Sequence, residues 1–291
     1  PVMTQSNNVR QGVILMLLTT VVFAFQDGIS RHLAGEYNVY LVVMVRYWFF
    51  AAFVMTLGHR QAGGVRAAAQ TRQPVVQVFR GVLLAVEVCV MVKGFTLLGL
   101  VESHAVFACY PLLIAALSGP ILGEKVGWRR WAAIGVGFLG VIVILQPGVS
   151  VFDPLAIIPL VAAIMFALYG LLTRYVARQD STATSFFWTG TAGAITMTAI
   201  GVWFWEPMTP VDWIWMGVLC VTGVMGHWLL IRCYEAAEAS AVQPFAYFQL
   251  VFASVIGIAI FGETIRLNVA LGVTVIVAAG LFTLWRERQQ R

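Results

Sequence analysis

Apolar runs of about twenty residues alternate with short polar connections along almost the whole chain, near residues 12–33, 37–58, 75–98, 102–122, 128–146, 154–176, 182–204, 211–233, 239–261 and 267–286. An α-helix rises 1.5 Å per residue, so a run of roughly twenty residues crosses a hydrocarbon core about 30 Å thick. The pattern predicts an all-α integral membrane protein of ten transmembrane helices. The spans consume nearly everything and leave no soluble domain. The longest connection, His59 to Pro74, is rich in Gly, Ala, Gln and Arg and reads as a flexible basic linker. The first run is too long for a signal peptide and lacks a small-residue cleavage site, so it reads as the first span.

Composition agrees with this class. Of 291 residues, 60% are hydrophobic and 11% charged, too little polar surface for a soluble globule. Charge adds orientation, because basic flanks resist translocation. With the amino terminus inside, the cytoplasmic connections hold Arg10, Arg60, Arg66, Arg72, Lys125, Arg129, Arg130, Arg174, Arg178, Arg232, Arg286, Arg288 and Arg291, and the opposite side only Arg31 and Arg266. Thirteen against two places both termini in the cytoplasm. The same count accounts for the net charge of +5 without a nucleic-acid partner. Trp203, Trp205, Trp213 and Trp215 bracket the loop holding Pro207 and Pro210, as an outer interfacial belt would. Compactness and the lack of an N-x-Ser/Thr sequon point to a bacterial inner membrane. Cys89, Cys109, Cys220 and Cys233 all fall in spans and read as small packing residues. No metal-ligand spacing occurs, no cofactor is called for, and a monomer is expected.

A repeat carries the functional argument. Gly123-Glu124 recurs as Gly262-Glu263, 139 positions later, and the same offset superimposes Lys93 on Arg232, Phe95 on Tyr234, His104 on Gln243 and Tyr110 on Gln249. Ser30-Arg31-His32 matches Thr173-Arg174-Tyr175 at 143. Five spans per half invert the second copy, and inverted repeats build transporters whose site lies between the halves.

The two copies, Tyr110-Pro111-Leu112 through Leu122-Gly123-Glu124 and Phe248 through Phe261-Gly262-Glu263, resemble the EamA repeats of the drug/metabolite transporter superfamily. The halves would be residues 12–146 and 154–286. Within the superfamily the chain looks most like YddG-type amino acid exporters. The resemblance implies a bundle around a central cavity, and export of aromatic and other neutral amino acids or toxic analogues by alternating access. Leu250 stands where the first copy has Pro111, so the two helices need not bend alike.

Ionisable and polar groups inside spans face the bundle interior or a wet cavity by default. Glu87 and Arg46 lie near the middles of adjacent spans and read first as an ion pair, second as a substrate ammonium site. Asp27 and Arg31 share a helix face in the favourable carboxylate-first order and read as a local pair. Gln26 beside them matches Tyr169. Lys93 and Arg232 sit near opposite faces and either snorkel or attract a substrate carboxylate. His104 and Gln243, with Tyr110 and Tyr247 nearby, suit a zwitterion bearing an aromatic ring, or else hydrogen-bond between helices. His227 belongs to the same set. Gly135, Gly137 and Gly140 allow close helix approach.

No P-loop occurs, so transport would be secondary. A multidrug or cationic-metabolite exporter of the same superfamily is the alternative. A membrane enzyme or receptor is the rival class, against which stand the absence of HExxH and GxSxG and the shortness of the loops.

Overall fold

The structure is a computed structural model that describes residues 8–60, 63–124, 127–145 and 154–289. Lys125, Arg291 and the connection between the two repeats lie outside them. Among the described residues the chain is helical and has no strand. In order come α1 (Val9–Glu36), α2 (Val39–Arg60), α3 (Gly64–Ala69), α4 (Pro74–Leu98), α5 (Leu100–Phe107), α6 (Tyr110–Leu122), α7 (Trp128–Leu145), α8 (Ile157–Val176), α9 (Thr182–Gly201), α10 (Pro210–Ala236), α11 (Ala239–Ala246), α12 (Phe248–Phe261) and α13 (Leu267–Gln289).

Seven segments are long and apolar enough to cross a membrane: Val9–Glu36, Val39–Arg60, Pro74–Leu98, Leu100–Leu122, Pro154–Val176, Pro210–Ala236 and Ala241–Phe261. The other three expected spans fall on α7, α9 and α13. Six threonines and a serine dilute the apolarity of α9. The expected flexible linker contains α3, whose Ala68 is buried. The α2 residue Gly58 lets the short helix dock, with Val65 Cα 3.3 Å from where a Cβ would stand.

Local chemistry explains the boundaries. Pro74 and Pro210 open α4 and α10, where the missing amide hydrogen has no intrahelical use. Gly123 and Gly262 close α6 and α12 in the left-handed region, at φ +68° and +65°. The amides of these glycines bond back to the Gly119 and Ile258 carbonyls at 2.9 and 3.2 Å, a left-handed cap in each half.

Two predicted spans are interrupted. The fourth breaks at Ala108-Cys109 between α5 and α6, and the ninth at Tyr247 between α11 and α12. These positions coincide at the 139-residue offset, so both helices break alike although Pro111 has no proline counterpart. In the second copy Pro244 removes an amide donor one turn before the break.

Helix contacts come in matched pairs. Where α1 packs on α10, α4 packs on α8; α1 on α12 is matched by α6 on α8, α4 on α9 by α2 on α10, and α5 on α12 by α6 on α11. The remaining large contacts, α2 with α9 and α7 with α13, each join equivalent spans of the two halves. Gly137 of α7 sits against Leu112 of α6, whereas nothing lies within 4 Å of a Cβ at Gly135. The outward faces carry exposed Ile, Leu, Phe and Trp, Trp203 at 81% among them, as a lipid-facing surface requires.

Candidate functional site

Residues of α1, α2, α4, α5, α8, α10 and α12 surround a narrow cavity of about 40 Å³, lined by Phe23, Gln26, Asp27, Arg46, Glu87, Val88, Met91, Val92, Phe95, Phe107, Phe166, His227 and Gln249. That volume admits about three waters. A substrate fits only when the helices part.

Two carboxylates define its character. Asp27 Oδ2 accepts from His104 Nε2 at 3.0 Å and from Gln249 Nε2 at 3.2 Å. An ionised carboxylate has only acceptors, so this geometry assigns the His104 proton to Nε2. Glu87, 3% exposed, forms no hydrogen bond or ion pair among the described residues and faces the cavity. Opposite them, Arg46 Nη2 lies 3.1 Å from His227 Nε2. A guanidinium only donates, so Nε2 accepts and the His227 proton sits on Nδ1. The carbonyl oxygens of Gln26 and Gln249 are buried without a partner, free to accept from a cationic ligand.

The apolar part is aromatic. Phe107 and Phe166 have centroids 5.5 Å apart, and Phe23 lies 5.2 Å from the His227 ring. Phe95 stacks on His104 at 5.2 Å, which fixes the ring against Asp27. The arrangement offers a cluster of tilted aromatic rings, two carboxylates and one guanidinium.

The structure brings Gln26, Asp27, Arg46, Glu87 and His227 to one cavity, with His104 just behind it. The expected Glu87–Arg46 ion pair is not formed; Arg46 turns to His227 on α10 instead. The expected Asp27–Arg31 pair is not formed either. Arg31 contacts Glu263, and Asp27 turns the other way to His104. Tyr169 is fully buried and its hydroxyl accepts from Arg80 at 3.2 Å. Tyr110 packs among Phe107 and Phe166. Gln243 donates to the Tyr234 hydroxyl at 3.2 Å, and Tyr247 is buried. None of these four reaches the cavity wall. Lys93 lines a separate, larger cleft with Tyr37, Tyr40 and Ile200. Arg232 is 40% exposed, 3.6 Å from Glu235, and stays clear of the cavity.

The pseudo-equivalence of His104 and Gln243 breaks down for a local reason. The residue matching Asp27 is Gly170, and the Tyr234 hydroxyl stands 3.0 Å from where its Cβ would be. The second half therefore has a phenol where the first has a carboxylate.

Sequence reasoning missed Gln249, which entered only as the repeat partner of Tyr110, and it missed Arg80. Arg80 is fully buried and donates to Gln77, Tyr169, Thr173 and the Ser185 carbonyl. It lies six residues after Pro74, where a basic residue reads as a cytoplasmic flank. The available signal was Gln77 one turn before it. Among the described residues no cluster of His, Cys, Asp or Glu is placed to hold a metal.

Comparison with known proteins bears on this site. The S-adenosylmethionine uptake transporter of Rickettsia prowazekii (strain Madrid E) is 25% identical over 282 residues, covering 96% of this chain and 94% of that protein. The riboflavin transporter of Vibrio cholerae serotype O1 is 25% identical over 295 residues, covering 97% and 95%. A solved crystal structure superimposes with a TM-score of 0.69 at 17% identity, over 97% of this chain and 98% of the other, a likeness of fold. Residues 10–146 and 154–285 each match the EamA-like transporter family. A helical membrane bundle with a polar cavity between two such copies is a transporter and not an enzyme, and the chain belongs to the EamA-like transporter family of the drug/metabolite transporter superfamily.

Proposed function

We propose that the protein is a secondary transporter of a cationic, amino-acid-bearing aromatic metabolite of the S-adenosylmethionine type, moved by alternating access in the direction of its gradient. The observation that carries this is the charge inventory of the cavity: two carboxylates, Asp27 and Glu87, against one guanidinium, Arg46. S-adenosylmethionine has the complementary set, an ammonium and a sulfonium against one carboxylate, together with a flat adenine for the phenylalanine cluster. Arg46 would take the ligand carboxylate, with Asp27 and Glu87 facing the two cationic centres. Unpaired charge in a dry cavity is heavily penalised. A neutral amino acid, which the family resemblance implied, and riboflavin carry no net positive charge and leave the excess negative charge of the cavity uncompensated. The curated name of the Rickettsia relative supports the same ligand class.

In this reading residues 12–146 and 154–286 are two inverted halves in a bacterial inner membrane with both termini cytoplasmic, an orientation supported by the basic-residue count. No chemistry in the site demands a cofactor.

The test is uptake of labelled S-adenosylmethionine into sealed proteoliposomes against empty vesicles. Saturable uptake, weakly competed by the uncharged thioether S-adenosylhomocysteine and reduced at least tenfold by Asp27→Asn or Glu87→Gln, is expected. Saturable uptake of phenylalanine or riboflavin with none of S-adenosylmethionine overturns the assignment.

A further inference from the structure

The repeated Gly-Glu pairs close onto the opposite half of the molecule. Glu263, just past the end of α12, accepts from the Leu100 and Val101 amides at the start of α5 at 2.8 and 2.7 Å. These are donors that a helix start leaves without an intrahelical partner. The same carboxylate contacts the Arg31 guanidinium at the end of α1. Gly99 and Gly257 make room for it, since a Cβ on either would meet its oxygens at 2.8 and 2.9 Å.

Glu124, just past the end of α6, does the equivalent in the other half. Its Oε1 accepts from the Ala239 amide at the start of α11 at 3.3 Å and lies 3.7 Å from Arg174 Nε at the end of α8. Arg31 and Arg174 are matched by the repeat, as are the two glutamates. Each interrupted span is thus tied at its start to the end of the other, and the two ties lie at opposite ends of these spans. The breaks at Ala108-Cys109 and Tyr247 fall between them, with Phe107 and Gln249 beside the breaks lining the cavity.

We propose that Glu263–Arg31 and Glu124–Arg174 are the two gates of the transport cycle: reciprocal latches, both engaged in this structure, of which one must release for the cavity to open toward its side. The breaks act as hinges, so α5 can swing from α12 while α6 stays on α11, and the reverse. This rests on the alternating-access reading above, though not on the identity of the substrate. By the basic-residue count the Glu263 latch faces outward and the Glu124 latch faces the cytoplasm.

The test uses the full chain with Cys89, Cys109, Cys220 and Cys233 replaced by alanine and the cavity residue Val92 by cysteine, a reporter that a membrane-impermeant cationic methanethiosulfonate modifies only when its side is open. Rates are read in right-side-out and inside-out membrane vesicles. Glu263→Gln and Arg31→Gln should each raise the rate about tenfold from outside and leave the inside rate unchanged; Glu124→Gln and Arg174→Gln should do the opposite. Either member of a latch suffices if the other variant fails to fold. Equal acceleration from both sides would mark these contacts as general packing and overturn the proposal, as would no change in any variant. Side-specific labelling without S-adenosylmethionine uptake removes the substrate and leaves the gates standing; uptake without side specificity removes the gates alone.

Discussion

At the scale of single residues, the polar groups of this bundle separate into those that are saturated and those that are not. Arg80 is saturated: its guanidinium fork serves four acceptors on α4, α8 and α9, and its plane lies over Tyr169 at 5.2 Å. Replacing it by Met keeps most of the volume and strands those acceptors in a dry interior, each at about 1–3 kcal/mol when it finds no new donor. Arg80→Met should therefore lower stability by roughly 3 kcal/mol or more, with Arg80→Lys intermediate because a point charge cannot copy the fork; thermal unfolding in detergent reads both. An unchanged melting temperature for Arg80→Met would show that water reaches this network. Glu87 and the carbonyl oxygens of Gln26 and Gln249 are among the unsaturated groups, and these three border the cavity. What could be read from the sequence was that Gln26, Asp27, Arg46, Glu87 and His227 are buried, since lipid leaves polar groups nowhere else to go. Which of them pair was illegible. Asp27 and Arg31 are good partners on one helix, and α1 sends them in different directions because His104 and Glu263 arrive from other elements. A side chain's partner is decided by inter-helix approach, for which helical periodicity holds no information.

At the scale of elements, apolar length located nearly every helix, and it failed where backbone geometry is set by only a few residues. The apolar runs end where Gly123 and Gly262 close α6 and α12, yet Leu250 in place of Pro111 suggested only that the two helices need not bend alike, and both break. Two halves that share a fold share the break, because the opposite half packs against both segments and holds each in place. The connection between α4 and α5 is a single residue, Gly99, at φ +86° and ψ 172°, a region almost closed to residues with a Cβ. Gly99→Ala adds backbone strain of about 1–3 kcal/mol and drives a methyl into the Glu263 carboxylate. Its effect should exceed that of an alanine at Gly123, whose Cβ meets nothing within 4 Å. The comparison is made by melting temperature, with outside labelling of a Val92→Cys reporter as the second readout: Gly99→Ala should accelerate it and Gly123→Ala should not. Equal effects would mean that the Glu263 carboxylate has room to withdraw, and the cradle would then be incidental.

At the scale of the whole molecule, the matched contacts make the two halves look interchangeable, and the latches show where they are not. The Glu263 latch has two amide hydrogen bonds at 2.8 and 2.7 Å, an ion pair, and Arg31 seated over the Phe261 ring at 4.0 Å. The matched contacts of the Glu124 latch are longer, the Ala239 amide, which corresponds to Leu100, at 3.3 Å and the Arg174 Nε, which corresponds to the Arg31 contact, at 3.7 Å. Arg174 also donates to the Tyr234 carbonyl at 2.8 Å. Charge-assisted hydrogen bonds strengthen steeply at short range, so the outward closure is the tighter one and the unloaded carrier should open more readily to the cytoplasm. A difference of 1.4 kcal/mol between the closures biases the two openings tenfold, well within what two short charge-assisted bonds contribute. The Val92→Cys protein without substrate should accordingly be modified several-fold faster in inside-out than in right-side-out vesicles, and Arg31→Gln should narrow or invert that ratio by weakening the stronger side. Faster modification from the outside in the parent protein would mean that helix packing away from the latches, chiefly α7 against α13, sets the resting state. In that event the latches would govern the rate of opening on each side and leave the preference to the scaffold.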